Sequence, residues 1–173
     1  DRAGKEKRTV LTEIEAKQIF KEAGISCTET LLAQNKAEAV SLSEKIGFPV
    51  VLKISSVDIT HKSDAGGVRI KLTSEKEIRS AYREIMKNSK KYDAKADIRG
   101  VLVSPMADEG VEVIIGTKID DQFGPVIMFG LGGTLVEVLQ DITFRVAPLT
   151  RKDAFDMMRE IKTGSVLEGI RGK

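Results

Sequence analysis

Apolar positions along the chain follow two rhythms, and the change between them falls near Ile98. Ahead of it, helical spacing alternates with short β-branched runs. Thr12-Glu13-Ile14-Glu15 reads as a capping box, with Ala16, Ile19, Phe20 and Ala23 at helical spacing behind it and Gly24 as the stop. Thr28 to Ala33 predicts a short strand. Asn35 to Glu38 opens a second helix with Ala39, Leu42 and Ile46 inward, closed by Gly47. Ser74 to Glu77 caps a third, with Ile78, Ala81, Tyr82, Ile85 and Met86 on one face; its basic end, Lys87 to Lys95, reads as a solvated charge run.

From Ile98 onward strands dominate. Val101-Leu102-Val103 predicts a buried strand that stops at Ser104-Pro105. Val111, Val113 and Ile115 alternate with Glu112 and Ile114 in another. Pro125 to Phe129 predicts a third, entering Gly130-Leu131-Gly132-Gly133. Thr150 to Asp153 opens a last helix with Ala154, Met157 and Ile161 inward. The pattern is that of an α+β chain with a hinge between Ser104 and Gly110, dividing it into lobes 1–103 and 104–173.

The most informative stretch is Pro49 to Leu72. Val50, Val51, Leu52 and Ile54 predict a buried strand from which Lys53 alternates out. Val68, Ile70 and Leu72, alternating with Arg69 and Lys71, predict a half-exposed partner strand. The polar loop between them, Ser55 to Gly67, carries the sole histidine, His61, followed by Lys62 and Ser63, and closes on Gly66-Gly67. Glycines let backbone N–H groups turn toward an anion, and Lys53 and Lys62 supply point charge, so the hairpin suits phosphate. Each feature alone has a plainer explanation: a snorkelling lysine, a turn, a solvated histidine. Their conjunction in one hairpin favours function.

Composition narrows the classes. The 28 basic and 26 acidic residues leave a net charge of only +2, and aromatics are 5% with no Trp, which argues against nucleic acid as partner. One cysteine, Cys27, forms no internal disulfide, and no Cys/His ligand cluster exists, which fits a reducing, cytoplasmic setting. No apolar run approaches the length of a membrane span. The polar N-terminal residues and the absence of an initiator Met suggest a stretch of a longer chain.

Several motifs in order resemble a known family. Gly47-Phe48-Pro49-Val50-Val51-Leu52-Lys53 is followed by His61-Lys62-Ser63-Asp64, Gly66-Gly67-Val68, Val101-Leu102-Val103 with Pro105-Met106, and Gly110-Val111-Glu112. Asp121-Gln122-Phe123-Gly124-Pro125, Gly130-Leu131-Gly132-Gly133 with Glu137, Asp141 and Arg145, and Pro148-Leu149-Thr150 complete the series. The chain resembles the ATP-grasp (β-subunit) part of ADP-forming acyl-CoA synthetases, relatives of succinyl-CoA synthetase. The resemblance implies an ATP-grasp fold, two α+β lobes with ATP or ADP between them, truncated at its C-terminal end. It implies an acid–thiol ligase reaction, acyl-CoA + ADP + phosphate ⇌ acid + ATP + CoA, through phosphohistidine, and a chain inactive as this isolated stretch. The partner would be a CoA-binding α subunit or fused domain carrying its own phosphohistidine, with His61 as second carrier. A regulatory ATP-grasp module of a fused protein acetyltransferase is the alternative.

Residue by residue, the resemblance makes Lys53 the lysine that reaches the nucleotide phosphates, with Lys62, Ser63, Gly66 and Gly67 beside it. Val103, Ser104, Pro105 and Met106 become the adenine hinge, acting through backbone groups. Glu112 becomes the carboxylate facing the ribose; an exposed strand position is the plainer account of it. Gly130 to Gly133 reads equally as an anion nest or a turn, and Glu137, Asp141 and Arg145 have no assigned role. The family's magnesium ligands lie mostly in an acidic strand beyond Lys173, so no metal ligand is named within the chain.

Overall fold

The computed structural model describes residues 2–6, 8–133 and 141–167. They form two units, the first ending at Ala107 and the second beginning at Asp108.

In the first unit the elements run α1 (Arg2–Lys5), α2 (Glu13–Glu22), β1 (Leu31–Ala33), α3 (Lys36–Ile46), β2 (Val50–Ser56), β3 (Val68–Leu72), α4 (Glu75–Tyr92) and β4 (Ile98–Pro105). The sheet is antiparallel throughout, in the order β1-β4-β2-β3. Strand alternation sorts its two faces. Val50, Leu52 and Ile54 of β2, with Val101 and Val103 of β4, join Ala39, Val40, Ile78, Ala81, Tyr82 and Ile85 of α3 and α4 in the core. Val51, Lys53 and Ser55 point the other way, beside Ser104, Leu102 and Gly100 of β4. Each fully buried Val, Ile or Leu contributes about 1.5–3 kcal/mol, so the helix-covered face anchors this unit.

The caps form where the sequence places them. Thr12 Oγ1 accepts from the Glu15 N–H, and Glu15 Oε2 accepts from the Thr12 N–H at 2.7 Å. At α3 the Asn35 side chain accepts from the Glu38 N–H, and the Glu38 carboxylate accepts from the Gln34 N–H at 2.8 Å. At α4 Ser74 caps Glu77, whose carboxylate reaches one residue further back, to the Thr73 N–H at 2.7 Å. Helix α2 departs from expectation: it buries no residue, and Ile19 and Phe20 are exposed. Strand β3 departs too. An extra residue between Arg69, opposite Leu52, and Leu72, opposite Val50, makes a bulge with Lys71 at φ 56°. The bulge places Arg69 and Leu72 on the helix side, where Arg69 pairs with Glu84 at 3.1 Å, and leaves Ile70 exposed.

The second unit contains an antiparallel sheet, β5 (Val113–Asp120), β6 (Gly124–Leu131) and β7 (Ile142–Val146), in sequence order. Helix α5 (Arg151–Glu160) packs Met157 and the following Ile161 against Phe129 and Leu131. Ala154, expected inward, is exposed. Strand β7 was not among the expected strands, although Ile142, Phe144 and Val146 alternate along it. The β5–β6 turn is closed by Asp120 Oδ1, which accepts from the N–H groups of Gln122 and Phe123, and by Gly124 at φ 75°. No helix among the described residues is long and apolar enough to cross a membrane.

Candidate functional site

Lys53 leaves β2 on the face opposite the core, because its neighbours Leu52 and Ile54 are wholly buried on the other side. Its Nζ lies 3.3 Å from Glu13 Oε1, at the start of α2. Lys62 Nζ lies 3.7 Å from Glu13 Oε2, and Lys17 Nζ 3.2 Å from Glu13 Oε1. Three ammonium groups thus converge on one half-buried carboxylate, leaving the cluster two positive charges in excess. Burial works to raise the Glu13 carboxyl, but the charges of Lys53, Lys17 and Lys62 outweigh it and hold the group below its ordinary value. Beside the cluster lies a recess of about 190 Å³ whose lining includes Thr12, Glu13, Ser55, Ser56, Thr60 and Lys62.

His61 occupies the tip of the β2–β3 loop, exposed, and no described residue hydrogen-bonds its imidazole. The polar composition predicts a loop loose from Ser55 to Gly67, and the structure corrects this. Strand β2 runs on through Ser56, and Ile59 and Ala65 are buried in the core, 1% and 4% exposed. Only Thr60 to Asp64 stand clear between these anchors. The tip itself is a hydrogen-bonded turn, with the N–H groups of Ala65, Gly66 and Gly67 donating to the carbonyls of His61, Ser63 and Lys62.

Those bonds also correct the expected role of the glycines. The N–H groups of Gly66 and Gly67 donate within the loop, so neither turns toward an anion here. Their value is steric: Gly66 sits at φ 60°, and a Cβ on Gly67 would lie 2.7 Å from Ile54 Cγ2. Ser63 is exposed on the same tip, and its side chain has no hydrogen bond among the described residues.

The expected hinge divides. Val103 stands between β1 and β2, in register with Leu31 and Leu52, and its side chain is fully buried. Its side chain belongs to the core. Ser104 lies on the Lys53 face, opposite Val51. The Met106 N–H donates to the Pro49 carbonyl at 3.0 Å, and Pro105 has no N–H. At Pro105 and Met106 the hinge therefore offers acceptors rather than donors.

Within the second unit, Glu112 precedes β5 instead of lying in it. The Gly132 N–H donates to its carbonyl at 2.7 Å, and a Cβ on Gly133 would meet Glu112 Oε2 at 2.9 Å. The glycines after β6 let the Glu112 carboxylate lie against the chain, exposed. Asp141 accepts from the N–H groups of Lys162 and Thr163 and the Thr163 hydroxyl, closing the turn after α5. Those bonds, the Thr163 hydroxyl first, hold its carboxyl below the usual range. Arg145 pairs with Glu160 of α5. Both are structural; Glu137 lies outside the described residues.

Glu13 is the participant that sequence reasoning missed, since the capping box accounted for it as an ordinary first-turn acid. A larger hollow of about 540 Å³ on the second sheet, lined by Val126, Met128, Phe144 and Val146 among others, holds none of the expected site residues. Among the described residues no group of three His, Cys, Asp or Glu could hold a metal ion, so none is assigned to magnesium.

Known proteins match this chain over most of its length. Residues 2–173 match a family described as an ATP-grasp domain. The chain is 51% identical over its whole length to 25% of the 4-hydroxybutyrate–CoA ligase (ADP-forming) of Nitrosopumilus maritimus. It is 52% identical over 94% of its length to 70% of the β subunit of acetate–CoA ligase (ADP-forming) I of Pyrococcus furiosus. The chain thus spans a quarter of the first relative. The Ca. Korarchaeum cryptofilum dinucleotide-forming acetyl-coenzyme A synthetase 1, in complex with coenzyme A, Ca-AMPCP and HgCl+, has a similar structure. There the TM-score is 0.94 at 50% identity, covering 99% of this chain and 75% of that one. The same synthetase with coenzyme A and Mg-AMPPCP, its phosphohistidine segment pointing towards the nucleotide binding site, matches with TM-score 0.81 at 47% identity, over 99% and 73% of the two chains.

Proposed function

The chain belongs to the ATP-grasp family, and from that premise we propose that it is the nucleotide-binding part of an ADP-forming acyl-CoA synthetase. The observation that carries this reading is the pairing of Lys53 with Lys62, the residue next to His61, around a single anionic point. Two cations gathered on one carboxylate, one of them next in sequence to an exposed histidine, suit the capture of a phosphoryl group.

In this reading Lys53 and Lys62 hold the phosphates of ADP or ATP, with the Ser63 hydroxyl available to them. The carbonyls of Ser104, Pro105 and Met106 accept from the base. Magnesium, when bound with the nucleotide, would neutralise charge developing on the phosphates. A ring nitrogen of His61 attacks the terminal phosphorus of ATP with its lone pair. The P–N bond forms as the P–O bond to ADP breaks, and the bonding pair leaves on the ADP oxygen. The phosphoryl group then passes to a histidine on a CoA-binding partner subunit or fused domain, and from there it ends as inorganic phosphate while acid and CoA are joined as acyl-CoA. Run backwards, the same steps make ATP.

The test uses the assembled enzyme with labelled phosphate. His61→Asn is expected to abolish phosphorylation of the partner's histidine by ATP while sparing its phosphorylation from acyl-CoA and phosphate. A His61→Asn enzyme forming ATP at the wild-type rate would sink the reading.

A further inference from the structure

Glu13 stands where an anion would be expected. Its carboxylate touches the two lysines that the proposed function assigns to phosphate, and a third, Lys17, that is committed elsewhere: Lys17 Nζ also donates to Thr28 Oγ1 at 3.0 Å and Thr30 Oγ1 at 2.6 Å. The three contacts are unequal. Lys53 hydrogen-bonds Glu13 at 3.3 Å, whereas Lys62, at 3.7 Å, is held by charge alone. Lys62 is also the one cation of the three on the His61 loop.

We propose that Glu13 is a positioning residue, an internal stand-in for phosphate that latches the His61 loop through Lys62 and yields that lysine when a phosphoryl group arrives. The proposal rests on the assignment of Lys53 and Lys62 to phosphate. Lys17 keeps Glu13 in place during the exchange, so the carboxylate withdraws from the loop without leaving the site. A phosphoryl group carries up to twice the charge of a carboxylate and three acceptor oxygens, so it outcompetes Glu13 for both ammonium groups. The latch also sets a limit on travel. While Ile59 and Ala65 stay in the core, His61, two residues from Ile59, remains within about 7 Å of it. Releasing Lys62 frees the Thr60–Asp64 tip within that radius.

Glu13→Gln removes the charge and keeps the shape. In the full-length protein without nucleotide, hydrogen exchange of the peptide covering residues 60–67 should accelerate about two- to five-fold, the range set by a half-exposed ion pair. Exchange in β2 and β4 should not change. ADP, titrated by calorimetry, should bind about two- to five-fold tighter, because the lysines lose their competitor. A merely structural Glu13 would give weaker ADP binding and faster exchange throughout the unit. Unchanged loop exchange, or ADP binding that is equal or weaker, would overturn the latch. Lys62→Met guards against a folding defect: it leaves Glu13 paired with Lys17 and Lys53 and should loosen the loop without tightening ADP; a loop unchanged by it counts against the latch. Lys53→Ala separates the two readings. If it weakens ADP while Glu13→Gln has no effect, the latch fails alone; if neither variant moves ADP affinity, the phosphate assignment fails with it.

Discussion

Gly67 and Ile54 are joined back to back: the Ile54 N–H donates to the Gly67 carbonyl at 2.7 Å, and a Cβ on Gly67 would stand 2.7 Å from Ile54 Cγ2. The second half of the His61 loop is thereby seated against the end of a buried strand.

Gly67→Ala should therefore destabilise the protein by roughly 1–3 kcal/mol, the usual range for overpacking a tight site. Lys62 O, 2.9 Å from the same Cβ position, gives no more room than Ile54. Urea unfolding checks this: the midpoint should fall at unchanged slope. An unmoved midpoint would show that the loop can shift away from β2 at little cost.

Lys53→Ala should weaken ADP binding about ten-fold or more, since a charge-assisted contact to phosphate contributes about 1.5–3 kcal/mol. The fold should survive, because Glu13 keeps Lys17 and Lys62 as partners. Calorimetry on wild type and variant decides it. Equal affinities would make Lys53 a structural counter-ion of Glu13 and nothing more.

The start of α2 predicts a pH dependence. The Arg8 guanidinium, then the Thr12 N–H, hold the Glu15 carboxyl down to about 2. A depressed folded value means the contribution is complete above the ordinary carboxylate range and is lost as pH falls from about 5 towards 2. The stability difference between wild type and Glu15→Gln should then shrink steadily over that interval, measured by chemical unfolding at each pH. A difference that stays constant from pH 7 to pH 3 would remove Arg8–Glu15 as its source.

What the residues determined alone were the features carried by local spacing. The capping box at Thr12, the Asn35 and Ser74 caps, the helix face of Ile78 to Ile85, and the buried β2 with Lys53 turned out of it follow from neighbours within a few positions, where backbone geometry allows one answer. The family was legible for a related reason, since its motifs are short runs in fixed order. Tertiary structure decided whatever depends on a partner distant in the chain. That Glu13 meets Lys53, forty residues on, is set by where the first turn of α2 lies against β2 and the His61 loop. That Val103 and the Met106 N–H are committed to the fold follows from the pairing of β4 beside β2 and from Pro49. The bulge at Lys71 split the expected face of β3, turning Leu72 to the core away from Val68 and Ile70, because one inserted residue flips every later side chain. The His61 loop reads as free from its polarity, yet two apolar residues, Ile59 and Ala65, hold it to the core, since burial follows the space a neighbouring element leaves rather than the character of the stretch.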